Sequence, residues 1–368
     1  MARLGLGESW TCAFANDFDR VKANTYRQNF PDAQDHFQEG DVWTLSVADL
    51  PGRADLAWAS SPCQDFSLAG ARAGLAGGRS SAFFGFWRLI EGLAAERRAP
   101  RAIVIENVSG LLTSHGGRDF VALGQSLVAQ GYRFGALEID AASFLPQSRP
   151  RVFVIATREP PPVDLVGGSP FQSRAILAAH ANLPNDVAER WIWWRTKAPA
   201  PRNTDLASLL EPDEAVVWHS DERTARWLAL MAPLHLARLA SIRARRTRAV
   251  GAVFRRMRVE AGERVQRAEV RFDGVAGCLR TPRGGSSRQV IVVVQDDTVR
   301  TRLLRPREAA RLMGLPDSYL LPSAATSALH VAGDGVAVPV VRWLAAQLLE
   351  PLLAGRAAVR VQAAVGRR

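Results

Sequence analysis

The sequence is poor in cysteine and almost without lysine. Its three cysteines, Cys12, Cys63 and Cys278, lie far apart and form no C-x-x-C pair, so the pattern predicts neither a zinc site nor a disulfide framework and fits a reducing cytoplasm. Lys22 and Lys197 are the only lysines. The N-terminus has no apolar signal core, and no apolar run approaches membrane-spanning length, so no membrane association is predicted.

Positive charge is nevertheless abundant, and arginine carries it. The chain has 368 residues, of which 47% are hydrophobic and 23% charged. This length and this hydrophobic content are enough for two domains, each with a hydrophobic core. Its formal net charge is +11. This balance suits a polyanionic partner, because the arginine fork fits phosphate and guanine edges. A GC-rich genome that encodes arginine by codon bias is the alternative.

One stretch, DLAWASSPCQDFS at residues 55–67, is typical of a strand that presents a nucleophile. Residues 56–59 read as a buried strand, and the chain breaks at Pro62 to place Cys63 just beyond the strand. Ligands bind at the carboxyl ends of strands in open α/β sheets. We interpret Cys63 as a catalytic thiol, and the alternative is a buried structural cysteine.

Further polar residues follow other predicted strands. Residues 102–105 form a second buried strand that ends in Glu106, so a carboxyl group and a thiol can converge on one cleft. Gln147, Arg149 and Arg151 directly precede a strand at 152–156, where alternation would turn two of them to one face.

The N-terminal segment carries acidic residues at strand ends. A short strand at 11–15 leads into Asp17 and Phe18, and a second short segment ends at Asp41. Such carboxylates hold ribose hydroxyls in dinucleotide-binding folds, although a solvated acid is the commoner case.

The character of the sequence changes between about residues 158 and 299. Five tryptophans are predicted to be the core of a smaller domain: Trp191, Trp193, Trp194, Trp218 and Trp227. Residues 238–258 hold eight arginines and no acid, and as a helix they would offer a basic face to phosphates, although a solvated helix gives a similar pattern. The segment from Arg280 to Arg288 reads as a loop between strands that contacts base edges.

Five blocks, taken together, resemble the DNA cytosine carbon-5 methyltransferases. They are SPCQDFS, IENVSG, QSRPR, RTRLLRPREAARLMGLPDSY and AGDGVAVPVV, in this order along the chain. The resemblance implies an α/β fold: a doubly wound, Rossmann-like, S-adenosylmethionine-dependent methyltransferase domain with an inserted, smaller target-recognition domain. The predicted division is residues 1–157 for the catalytic domain, 158–300 for target recognition, 301–356 for a closing segment and 357–368 for a basic tail.

The resemblance also implies roles for individual residues. Cys63 is the nucleophile, Glu106 engages ring nitrogen 3 of cytosine, and Arg151 holds the carbonyl oxygen and supports Glu106, with Arg149 beside them. The residues expected to bind S-adenosylmethionine are Asp17 at the ribose, Asp41 and Phe18 near the adenine, Pro62 and Val338. The residues expected to contact DNA are Gln64, Ser67, Arg79, Gln147, Arg280, Thr281, Arg283, Gly284, Gly285, Ser287 and Arg288.

The predicted activity is transfer of a methyl group to carbon 5 of a flipped cytosine in a specific duplex DNA sequence by a cytoplasmic monomer, with a possible cognate restriction endonuclease. The family's opening strand and F-x-G-x-G turn do not precede the present residues, and Asp334 stands where the family has asparagine. We therefore expect a reading frame that extends upstream of Met1. A noncatalytic DNA-binding remnant and a transfer RNA methyltransferase are the alternatives.

Overall fold

The structure is a computed structural model that describes residues 1–60, 82–280 and 288–354. These residues form two compact units. The first unit comprises residues 2–60, 82–140, 150–200 and 340–354, and the second comprises residue 1 with residues 141–149, 201–280 and 288–339. The chain passes between these units at 140/141, 149/150, 200/201 and 339/340, and the functional domain boundaries stay a prediction.

The first unit is built on parallel and antiparallel strand pairs. Strands β1 (Ala15–Asp17) and β2 (Phe37–Glu39) pair in parallel. A second sheet has the order β3-β4-β6-β5, from strands β3 (Leu56–Ala59), β4 (Ala102–Val108), β5 (Arg133–Asp140) and β6 (Pro150–Thr157). Strands β3 and β4 are parallel, whereas β6 runs antiparallel to both of its neighbours.

Helices cover this sheet because their apolar faces need burial. The first unit contains α1 (Ala2–Leu6), α2 (Arg20–Asn29), α3 (Ala82–Ala95), α4 (Arg118–Ala129), α5 (Arg174–Ala181) and α6 (Asn185–Ala188). Phe83 of α3 and Phe120 of α4 share one hydrophobic core with Ile103, Ile105 and Val154 of the sheet. The strand β4 is buried over almost its whole length, as expected for a central strand with an uninterrupted apolar run.

Residues 190–194 extend this sheet past β5. The Phe134 amide donates to the Arg190 carbonyl at 3.0 Å, and the Ile192 amide donates to the Phe134 carbonyl at 2.6 Å. Trp194 is 1% exposed, and its indole nitrogen donates to Ile155. The predicted placement of these tryptophans in the smaller domain is wrong for Trp191, Trp193 and Trp194, which pack with the sheet of the first unit.

The second unit is a four-stranded antiparallel sheet with helices on it. Its sheet has the order β10-β9-β7-β8, from strands β7 (Ala249–Glu260), β8 (Glu263–Arg271), β9 (Val290–Gln295) and β10 (Thr298–Leu303). Two helices, α7 (Asp221–Ala229) and α8 (Pro233–Arg243), bring Trp227 and Leu239 onto the valines of this sheet. Helices α9 (Pro306–Arg311) and α10 (Ala325–Asp334) follow.

The basic segment 238–258 is not one helix, contrary to the prediction. Helix α8 ends at Arg243, Arg246 has a positive φ of 50°, and β7 begins at Ala249. The left-handed residue ends the helix, and the β-branched and aromatic residues that follow alternate with the period of a strand. The arginines of this segment therefore lie on two kinds of element.

The C-terminal helices are α11 (Val338–Leu344) and α12 (Glu350–Ala354), joined by a π-helical turn at Ala345–Leu349. The stretch Ala325–Ala354 is long and apolar enough to cross a membrane by composition, but half of it is buried within the fold. Burial of this kind is what a core helix of a soluble protein also shows.

Candidate active site

A buried ion pair lies at the end of the central strand β4. Glu106 is 7% exposed, and its Oε1 is 3.1 Å from Nε of Arg151 near the start of β6. The antiparallel register brings them together, because Val108 is the direct partner of Arg151 and Glu106 lies two residues before it. The structure thus joins two of the four residues predicted to be catalytic.

The predicted nucleophile follows the neighbouring strand. Ala59, the last residue of β3, pairs in parallel with Ile105, and Glu106 comes next along β4. Cys63 itself lies outside the described residues, as do Pro62, Gln64, Ser67 and Arg79. Its distance from Glu106 therefore stays a prediction.

The residues predicted to bind the cofactor gather at the ends of β1 and β2. Asp17 is the last residue of β1 and pairs with Glu39, and Asp41 follows two residues later. Asn16 ties the two strand ends by donating to the carbonyls of Gln38 and Gly40, both at 2.9 Å. Parallel pairing places both carboxylates at the same edge, where Phe18 is 74% exposed. Val338 belongs to the second unit by its backbone bond to Met313.

Gln147 is fully buried among backbone groups in this structure, and its predicted direct contact with DNA stays a prediction. Its side-chain nitrogen donates to the Leu312 carbonyl at 2.6 Å, and its side-chain oxygen accepts from the Leu279 amide at 3.1 Å. Each hydrogen bond satisfies a backbone group that would otherwise be buried unpaired. Gln147 therefore positions the chain at Leu279, directly before the predicted recognition loop.

Arg149 is also buried, and it does not share a strand face with Arg151. It precedes β6 and belongs to the second unit, where its guanidinium donates to three backbone carbonyls: Leu279 at 2.9 Å, Gly333 at 2.9 Å and Gly335 at 2.7 Å. At 2% exposure its guanidinium joins these backbone segments, and its predicted catalytic role stays a prediction.

The predicted recognition loop is fixed at its base. Gln289 accepts from the Gly277 amide at 2.9 Å and donates back to the Gly277 carbonyl. Arg280 is exposed, and Arg288 donates to Thr326 at 2.9 Å. Between these two arginines, Thr281, Arg283, Gly284, Gly285 and Ser287 lie outside the described residues.

One acidic residue beside the basic segment was not singled out by the sequence-based predictions. Glu269 of β8 is 8% exposed and lies beside both Arg256 and Arg258 of β7. The sequence alone does not single out Glu269 among the three glutamates of this hairpin, because its position beside the two arginines follows from the pairing of β7 with β8.

Comparisons with known proteins agree with this arrangement. A family model for C-5 cytosine-specific DNA methylase matches residues 2–350. The chain is similar to the Type II methyltransferase M.NlaX of Neisseria lactamica, at 27% identity over 366 residues, covering 96% of this chain and 94% of that protein. It is also similar to M.HhaI of Haemophilus parahaemolyticus, at 24% identity over 335 residues, covering 91% and 86%.

The fold comparison gives the same class. The crystal structure of the S. pombe Dnmt2 methyltransferase aligns with a TM-score of 0.51 at 18% identity, covering 92% of this chain and 91% of that one. The mixed α/β sheets are those of a Rossmann-like methyltransferase. With the family model matched over nearly the whole chain, the protein belongs to the C-5 cytosine-specific DNA methylase family and is a DNA cytosine-5 methyltransferase.

Proposed function

We propose that the chain methylates carbon 5 of a flipped cytosine within a specific sequence of duplex DNA, with S-adenosylmethionine as methyl donor. The observation that carries this proposal is the buried pair of Glu106 and Arg151, 3.1 Å apart, on the strand next to the one that leads to Cys63. A mostly buried carboxyl group that a guanidinium holds in place can form a hydrogen bond with one polar atom of a flipped base.

The ends of β1 and β2 fit the proposed cofactor. Two carboxylates, Asp17 and Asp41, can accept hydrogen bonds from ribose hydroxyls or the adenine amine, and the exposed ring of Phe18 offers a face to the adenine. When bound, S-adenosylmethionine supplies an electrophilic methyl group. Pro62 and Val338 complete the proposed cofactor-binding set.

The proposed chemistry assigns each step to a residue of this chain. The Cys63 thiolate adds to carbon 6 of cytosine, a sulfur–carbon bond forms, and carbon 5 gains nucleophilic character. Glu106 shares a proton with ring nitrogen 3, which limits the charge that builds up during addition, while Arg151 holds Glu106 in place. After carbon 5 is methylated, its proton leaves and the sulfur–carbon bond breaks, which restores both the aromatic ring and the thiolate.

Sequence recognition is assigned to the segment bounded by Arg280 and Arg288. Arginine reads guanine through two parallel hydrogen bonds in the major groove, and the glycines of this segment allow close approach to the duplex. Gln147 and Gln289 support the proposal, because both hydrogen-bond the backbone at the base of the loop. We further infer a monomer that acts in the cytoplasm, and a cognate restriction endonuclease as partner because the relatives are named Type II methyltransferases.

Covalent trapping tests the proposal most directly. Duplexes that carry 5-fluorocytosine at the methylated position should trap the wild-type protein, since fluorine cannot leave as a proton does. The target position is first found by bisulfite sequencing of DNA from cells that express the protein. Cys63→Ser should neither methylate nor be trapped, while it still binds DNA.

Cys12→Ser is the matched control, because Cys12 is a half-buried thiol whose contacts are the Phe14 carbonyl and the Tyr26 hydroxyl. This variant should methylate and be trapped. Methylation by Cys63→Ser near the wild-type rate would overturn the assignment of the nucleophile. DNA binding without methylation by the wild type would identify a noncatalytic protein, and methylation of transfer RNA alone would move the substrate to RNA.

A further inference from the structure

A buried carboxylate holds two arginines on one face of the β7–β8 hairpin. Glu269 Oε1 is 2.6 Å from Nε of Arg258, and Oε2 is 3.4 Å from Nε of Arg256. The two arginine side chains remain 51% and 53% exposed, whereas the glutamate side chain is 11% exposed. One acid thus orients two cations that still face solvent.

The cluster has two arginines for one glutamate, which distinguishes it from a simple one-to-one ion pair on the surface. A single carboxylate beside two guanidinium groups leaves one net positive charge within this cluster, and the further acids on the same face, Glu260 and Glu263, lie at the turn end of the hairpin. By contrast, Arg267 on the same face is matched one-to-one by Glu260, with Nε to Oε1 at 2.8 Å. Because Glu269 already holds both side chains, binding of a partner costs less of their rotamer entropy than it would for two freely mobile arginines.

The cluster lies on the side of the sheet that faces the base of the predicted recognition loop. A Cβ added to Gly277 would lie 3.3 Å from Cδ1 of Phe254, so Phe254 packs against that base. Phe254 is directly opposite Glu269, and strand alternation puts Arg256 and Arg258 on the same face as Phe254. At about 3.4 Å per residue, the two arginines stand roughly 7 and 14 Å further out along β7.

We propose that Arg256 and Arg258 contact backbone phosphates of the DNA duplex beside the recognition loop, with Glu269 as the residue that positions them. We name these three residues the arginine clamp. The inference rests on the proposed function, because it takes duplex DNA as the partner. Phosphates suit this site because charge-assisted hydrogen bonds from an oriented guanidinium are the strong kind, and because phosphate contacts set the register of a protein on DNA.

The hairpin supplies its own control on the opposite face. Arg264 is exposed, pairs across the strands with Val259, and faces away from Phe254 by the same alternation. Arg264→Gln therefore removes the same charge from the same hairpin as either clamp substitution. A loss of binding seen with Arg256→Gln alone or with Arg258→Gln alone, but not with Arg264→Gln, depends on the position of the arginine and not on the total charge of the protein.

The experiment measures binding of the full chain to labelled duplexes by fluorescence anisotropy over a salt series from about 50 to 200 mM. One duplex carries the methylated sequence and one is random. The double variant Arg256→Gln/Arg258→Gln should bind both duplexes more weakly by the same factor. Its slope of log affinity against log salt should be smaller by about 2, at about 0.9 for each lost phosphate contact.

Glu269→Gln separates an effect of net charge from an effect of positioning, because the two predict opposite changes in DNA affinity. This substitution adds one positive charge to the protein, so charge alone predicts tighter binding and a steeper salt slope. Positioning predicts weaker binding and a shallower slope, because the arginines lose their anchor. In the background of the double variant, Glu269→Gln should have no further effect, since its partners are gone.

Several results would overturn the proposal. These are tighter or unchanged binding by Glu269→Gln, equal losses for Arg264→Gln and the clamp variants, or a loss confined to the methylated sequence, which would mean base reading. Thermal melts of each variant exclude misfolding as the cause of a loss. If the wild type binds neither duplex, the proposed function fails instead, which is a different outcome from failure of the clamp alone.

Discussion

Replacing Arg149 tests how strongly one buried side chain holds the second unit together. Its guanidinium donates to the carbonyls of Leu279, Gly333 and Gly335, which belong to two segments that lie far apart in sequence. Arg149→Met leaves these carbonyls without that donor, at about 1 to 3 kcal/mol for each buried group. Since a carbonyl can find water or a relaxed partner, we expect a total loss of about 3 to 5 kcal/mol.

Arg149→Lys should lie between this variant and the wild type. Lysine keeps the charge, but its compact ammonium cannot reproduce a planar fork that reaches three carbonyls. A loss of about 3 to 5 kcal/mol is a large share of the roughly 5 to 15 kcal/mol by which domains are stable. The second unit should therefore unfold first in Arg149→Met.

Urea unfolding followed by circular dichroism measures the effect, with the transitions of the two units fitted separately. Arg245 is exposed, so Arg245→Met is the matched control and should change stability by no more than about 0.5 kcal/mol. A difference between the two variants of less than about 1 kcal/mol would refute the structural role assigned to Arg149.

Two further predictions concern one residue in each unit. Burial, with the charge of Arg223, lowers the pKa of His219 from 6.5 to about 4, so the unfolded chain takes up its proton first. The stability of the wild type relative to His219→Asn should be constant above pH about 7 and fall as pH drops from about 6.5 to about 4; parallel urea midpoints for both proteins over this window would contradict it. Gly135→Ala should lower the melting temperature, because its Cβ would lie 1.9 Å from the Ile192 carbonyl oxygen, whereas Gly168→Ala meets nothing within 4 Å and should melt like the wild type.

Local patterns predicted the strands of the first unit well. The strand expected at 56–59 is β3 to the residue, and the one expected at 152–156 lies within β6 at Pro150–Thr157. Both are apolar runs that end at polar residues or proline. A strand that is buried on both faces is apolar throughout, so such a run is readily identified as a strand. The strand expected at 11–15 forms at Ala15–Asp17, because its apolar residues are too few to fix the boundary.

The arginines show where sequence reasoning reaches its limit. Gln147 and Arg149 read as surface groups because most polar residues are exposed, and only the fold reveals that they satisfy buried carbonyls and amides. Arg302 is likewise buried, with Nη2 2.6 Å from Oε1 of Glu308. Neither codon bias nor a polyanionic partner by itself explains such residues, since part of the arginine content is structural. Net charge therefore indicates a partner only after the buried arginines are set aside.

The predicted recognition loop and the predicted catalytic pair are connected by a short segment of the chain. Ala276, close to the predicted recognition loop, donates to the Pro146 carbonyl at 2.8 Å and accepts from the Ser148 amide at 2.9 Å. Gln147 adds its bond to Leu279, so the segment at 146–149 is fastened to the base of that loop. Arg151, the partner of Glu106, comes only two residues after this segment. If this loop reads DNA as we propose, the segment at 146–149 is the stretch of chain that joins the base of the loop to Arg151, and Gln147 fixes that stretch through its bond to Leu279.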